Sequence, residues 1–151
     1  MHNFKISLFL LPLLISCTNT SSITHESDLN QSTLEISGQW FSDFGDSEII
    51  NNATWIQEGE GWNIDYIIID FSNKDNWVVT QNSLSDNYDP LKFNLIVWTE
   101  PKSETSFYYC VVDYGLNTEE AARLSTVDYD LDDLHNNGCG GYPWTKLIAQ
   151  Q

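Results

Sequence analysis

Between Asp128 and Cys139 the chain reads DYDLDDLHNNGC. Asp128, Asp130 and Asp132 fall two residues apart, the spacing at which a calcium loop sets its first carboxylates. Asp133 then occupies the place where such a loop needs a glycine to turn, and Cys139 stands where its bidentate glutamate belongs. A complete calcium loop is not expected. Calcium enters only as looser oxygen ligation by Asp128, Asp130, Asp132 and Asp133, and the simpler expectation is a solvated acidic loop.

The same stretch carries sulfur chemistry. Cys110 and Cys139 are an even pair in a chain that reads as exported, so a disulfide between them is expected. Zinc held by Cys110, Cys139 and His135 is the sharper alternative, but it lacks an evident fourth ligand. A bridge would close a loop of about 29 residues and contribute about 3.6 kcal/mol by chain-entropy arithmetic. It would pin the acidic loop to whatever strand carries Cys110.

Catalytic patterns are missing. His135 is the only histidine after residue 33, and the sequence contains no Gly-x-Ser-x-Gly elbow, phosphate-cradling glycine loop or paired-histidine metal motif. A glycosidase needs two placed carboxylates, yet with 22 acidic residues some pair always qualifies on paper. The chain is expected to be non-catalytic, with a small hydrolase as the weakest reading.

The elements that must position these residues are strands. LEISGQWF, SEIINNATWIQ, WNIDYIII, NWVVTQ, KFNLIVWTE and SFYYCVVDY follow one another with turn residues between them, and GCGGYPWTKLI closes the series with a turn and a strand. Short β-branched and aromatic runs of this kind predict an antiparallel β-barrel or β-sandwich of about seven or eight strands. Residues 92–99 and 105–112 form one long hairpin in this reading. A single short helix is predicted after Asn117, which could cap it, with Glu120 three residues on. Six tryptophans lie in or beside these strands. Large amphipathic rings commonly fill cores, so four are expected inside and the remainder partly exposed, where they could stack on sugar rings.

The N-terminus gives an address. Lys5 precedes a nearly unbroken apolar run, residues 6–15, too short to cross a bilayer as a helix, which takes about 20 apolar residues. A removable signal fits it better. The run ends in Leu14-Ile15-Ser16-Cys17, which resembles the bacterial lipobox. That resemblance implies cleavage after residue 16, lipidation of Cys17 and retention on a membrane, where each buried methylene contributes about 0.8 kcal/mol. Thr18 in place of an aspartate implies, by the sorting rule of Gram-negative lipoproteins, the outer membrane of the cell envelope. Periplasmic or exterior exposure stays open.

Residues 17–33 then read as the lipidated N-terminus and a flexible tether, because eleven of the sixteen residues from Thr18 to Thr33 are Ser, Thr, Asn or Gln. Such a coil reaches about 20 to 25 Å root-mean-square. Residues 34–151 are expected to form one domain. Loss of Lys5 with the signal leaves five basic residues against 22 acidic ones and takes the formal charge from −16 to −17. A surface of that sign repels phosphate backbones, so no nucleic-acid partner is expected.

Two resemblances extend the reading. Gly38-x-Trp40 at the first strand resembles the motif that opens lipocalins, and Asp113-Tyr114 is similar to their second motif, with Val112 where threonine is usual. That resemblance implies an eight-stranded barrel plugged at one end by Trp40, with a small apolar ligand inside. No third motif is evident around Arg123. Over a longer span, the order GQW, NATW, VTQN, KFNLIVWTEP, FYYC, EEAA and GCGGYPWT resembles a group of short, uncharacterised bacterial secreted proteins and lipoproteins, and implies no activity. The expected function is a membrane-anchored binding or interaction module. Its partner is a small apolar ligand if the domain is a barrel with a cavity, and a glycan or envelope protein if it is a closed body.

Overall fold

The computed structural model describes residues 32–101 and 105–150. The lipobox with Cys17, and most of the tether, lie outside the described residues. Eight strands in chain order close an antiparallel barrel: β1 (Gly38–Ser42), β2 (Ser47–Ile50), β3 (Thr54–Gly59), β4 (Trp62–Ser72), β5 (Trp77–Asn82), β6 (Phe93–Trp98), β7 (Ser106–Leu116) and β8 (Thr145–Ala149), with β8 returning to β1. Barrel rather than sandwich is thereby decided. The run SEIINNATWIQ is two strands, not one, because Asn51 closes a tight turn by accepting from the amides of Ala53 and Thr54. LEIS precedes the sheet as a turn, with the Ser37 amide bonded to the Leu34 carbonyl.

Alternation explains the inner wall. Trp40 and Ser42, Glu48 and Ile50, Trp55 and Gln57 are the buried members of β1, β2 and β3, and the register sets Trp40 opposite Glu48, Glu48 opposite Gln57 and Ile50 opposite Trp55. One phase of each strand therefore faces the lumen. In β4 the register shifts between Ile68 and Asp70, a bulge that lets Phe71 rejoin the core behind Ile68.

Strands β6 and β7 break the alternation because both of their faces are buried. Inside, Ile96, Trp98, Phe107 and Tyr109 join the lumen core; outside, Val97, Cys110 and Val112 pack with Trp144. What covers them is the long connection from β7 to β8. It contains α1 (Glu119–Arg123), packed on β5, β6 and β7. Thr118, not Asn117, caps this helix, its hydroxyl accepting from the Ala121 amide at 3.1 Å. Asn117 instead accepts from the Lys92 ammonium. The Cys110–Cys139 disulfide, with Cα atoms 5.6 Å apart, ties the end of the connection to β7.

The chain enters at one end of the barrel and seals it. Leu34 and Ile36 are fully buried, and side chains of the two neighbouring turns hold the entry segment: the Leu34 amide donates to Asn52 at 2.8 Å and the Glu35 amide to Asn73 at 3.0 Å. Trp40 donates its indole N–H to the Ile36 carbonyl at 3.0 Å and meets Phe107 edge-on at 4.8 Å. Gly38 makes room for that ring, since a Cβ there would lie 3.2 Å from the indole nitrogen. Trp40 thus plugs the closed end. Trp40, Trp55, Trp98 and Trp144 are buried, while Trp62 and Trp77 retain exposure.

Candidate binding site at the open end

Toward the opposite end the lumen becomes polar. Glu48, 2% exposed, accepts from the Trp55 indole N–H at 2.5 Å, the Gln57 amide at 3.4 Å and the Tyr109 hydroxyl at 2.9 Å. Gln57 also donates to the Tyr109 oxygen at 2.8 Å. Burial pushes the Glu48 carboxyl above its ordinary value of 4.5, and the hydrogen bonds from Trp55, Tyr109 and Gln57 offset that only in part. Burial also carries Tyr66 up to about 12 and Tyr109 well above the ordinary tyrosine value. Both phenols therefore stay protonated and able to donate through neutral pH. Glu48 is cut off from solvent, so it holds the wall together and does not reach a substrate.

A second polar cluster positions the rim. Asn94 donates to Asn82 at 2.6 Å and to Thr80 at 3.2 Å, and its own oxygen accepts from the Gly115 amide at 3.2 Å. Asn82 passes its amide to the Asp89 carbonyl at 2.8 Å, which fixes the loop between β5 and β6 from inside. Asp86 stiffens that loop through one oxygen, which accepts from the amides of Tyr88 at 2.9 Å and Asp89 at 2.7 Å. The Ser83 amide then ties the loop to the start of β4 through the Asp65 carbonyl, at 3.1 Å.

Between this loop and the start of β4 lies a groove of about 460 Å³, within the roughly 300–1,000 Å³ range of small-molecule sites, which often sit at barrel mouths. Trp62 forms one wall and is 43% exposed. Its ring lies across Gly59, its partner in the β3–β4 hairpin, where a Cβ would come within 2.3 Å of the indole nitrogen. Only glycine permits that contact. Asn63, Asp65, Asp86 and Asn87 supply polar groups, and Tyr88, 91% exposed, adds a second ring.

The residues singled out by spacing are distributed differently. Asp130 accepts from the Asp132 amide at 2.8 Å, and Asp133 accepts from the Asn136 side chain at 2.6 Å and the Asn137 amide at 3.0 Å. Those bonds, the Asn136 side chain first, hold the Asp133 carboxyl below its ordinary value. The carboxylates of Asp130 and Asp133 thus serve the turn, and among the described residues no three His, Cys, Asp or Glu side chains, those of Asp128 and Asp132 included, are gathered so as to hold a metal ion. Zinc is overturned by the disulfide itself, which consumes Cys110 and Cys139; His135 meets the Tyr108 ring edge-on at 5.7 Å. Asp113 accepts from the Ser125 hydroxyl at 2.7 Å and joins β7 to the segment after α1, while Tyr114 is exposed. Arg123 pairs with Asp70 and Glu119 beneath the Trp77 ring.

Sequence reasoning missed Glu48, Gln57, Asn82 and Asn94 as lumen residues and Trp62 as the wall of a groove. A usable signal was present: Glu48 shares the phase of Ile50, and Gln57 that of Trp55. No family model, curated protein or solved structure matches the chain.

Proposed function

We propose that the protein is a lipid-anchored, non-catalytic binding module of the bacterial outer membrane that engages its partner through the Trp62 groove. The observation that carries this reading is the groove's position, at the rim opposite the end where the chain enters from its tether, with one aromatic wall fixed against Gly59. The lipobox residues Leu14 to Cys17 supply the anchor. Among the described residues the one buried carboxylate of the lumen, Glu48, is engaged by three donors and closed to solvent, so it offers no acid or base to a bound molecule.

Two measurements test it. Intact mass of the membrane-extracted protein should carry an acyl increment on an N-terminal Cys17, and an unmodified residue there overturns the anchor. A photo-crosslinking residue at Asn87 in the full-length lipoprotein, activated in its own envelope, should give adducts that the same residue at Lys74, near the closed end, does not. Equal labelling at both positions overturns the groove.

A carrier of a small apolar ligand is the second reading, favoured by the closed eight-stranded barrel and its Trp40 plug. It asks an apolar molecule to displace the Glu48 and Asn94 networks, which would strand buried polar groups at about 1–3 kcal/mol each. A co-purifying apolar molecule in native mass spectrometry of the detergent-extracted chain would favour it over the groove.

A further inference from the structure

We infer that the groove takes a neutral pyranose of a glycan chain, stacked on Trp62 and hydrogen-bonded along the Asn63–Asp65 and Asp86–Asn87 edges. This rests on the groove being the binding site and names its ligand class. A pyranose has a face of C–H groups and an edge of hydroxyls, and it needs a flat apolar wall beside closely spaced polar groups. Trp62 is that wall, held in place by its contact with Gly59. A free indole would have to be ordered on binding, whereas one already seated loses little side-chain entropy.

The polar edges are similarly prepared. Asp86 is committed to the Tyr88 and Asp89 amides through one oxygen only, and Asp65 takes a long bond of 3.3 Å from Asn63. The Asn87 amide finds no hydrogen-bond partner among the described residues, and Tyr88 extends its ring into solvent beside it. Carboxylates with a spare oxygen accept from vicinal hydroxyls, and side-chain amides both donate and accept. Six of the nine described lining residues are polar, too many for a lipid chain and well matched to a polyol.

Charge sets the class more narrowly. Asp65 and Asp86 both line the groove and, among the described residues, no lysine or arginine does, on a chain of formal charge −16. An anionic saccharide such as a uronate would meet repulsion with no cation to offset it. A neutral sugar carries no such cost.

The test is titration of the detergent-extracted full-length protein, followed by indole fluorescence and calorimetry, with cellotriose, maltotriose, chitotriose and the anionic trigalacturonate. At least one neutral trisaccharide should bind and the galacturonate should not. Trp62→Ala should weaken that binding by about tenfold or more. Gly59→Ala, which keeps the indole but drives it off its seat, should do the same, with Asn87→Ala as a milder third variant that leaves the hairpin untouched. Failure of all three neutral sugars, tighter binding of the galacturonate, or binding indifferent to Trp62, Gly59 and Asn87 overturns the inference. Crosslinks from Asn87 to an envelope protein together with no sugar binding would sink the glycan and leave the binding module standing; no selective crosslink at all would sink both.

Discussion

At the closed end of the barrel Ile36, Trp40, Trp98 and Phe107 fill the lumen with hydrocarbon and two indole bonds, to the Ile36 carbonyl and the Glu35 carboxylate, and at the open end Glu48, Gln57, Asn82 and Asn94 fill it with paired polar groups. The same eight strands build both halves. In the first, stability comes from apolar area removed from water, which is tolerant of detail. In the second, each group is tolerable only because its partner is present. The barrel concentrates its stability where the chain enters and its specific geometry beneath the rim that holds the groove.

Deep truncation of the closed half should have the largest effect. Trp40→Ala removes the plug and should cost about 3–5 kcal/mol, read by denaturant unfolding; a loss below about 1 kcal/mol would mean that the entry segment seals the end without it. Tyr109→Phe tests the open half with almost no change in volume. It strips Glu48 of one donor and Gln57 of one acceptor, and should cost about 1–3 kcal/mol.

The two halves should also differ in their response to pH. Because burial raises the Glu48 pKa above 4.5, the folded chain binds that proton more tightly than the unfolded one. Stability owed to Glu48 is therefore full below pH 4.5 and lost as pH rises through the raised value. Melting temperature should climb on acidification from pH 7 toward about 5, and Glu48→Gln should flatten that climb while Trp40→Ala leaves its slope alone. Parallel slopes in wild type and Glu48→Gln would show that the network carries the charge without penalty. On the alkaline side Tyr66, raised to about 12, reverses nothing in the sign: the unfolded chain releases its proton first, so stability falls above pH ~10. A spectroscopic titration should show Tyr66 and Tyr109 ionising last among the tyrosines, together with unfolding.

The smallest effect on stability is expected at the rim. Trp62→Ala should change unfolding free energy by no more than about 0.5 kcal/mol, because the ring is 43% exposed. A larger loss would make Trp62 part of the scaffold and remove the contrast between the halves.

Much of the wall was legible and little of the site was. Alternating burial in β1 to β3 follows directly from the period of two, and the hairpin of β6 and β7 was readable from two long apolar runs around a polar turn. The same runs hid their cause, because a strand buried on both faces has no alternation to reveal which face is the lumen. The aspartates at 128, 130, 132 and 133 drew attention by spacing, yet the oxygens of Asp130 and Asp133 are used by neighbouring amides and the four are not gathered around a metal position. Trp62 drew little, because one indole beside a glycine turn looks the same whether it enters a core or walls a groove.

From composition and order alone followed a mainly β domain, the pairing of Cys110 with Cys139 and an acidic chain. These depend on local period, residue type and count, which the sequence carries directly. Closure of β8 onto β1, the burial of Glu48 among three donors, and the meeting of Trp62 with Asp86 and Asn87 depended on the tertiary structure. Each joins residues whose proximity is set by strand register and barrel closure, and no local preference in the sequence specifies those distances.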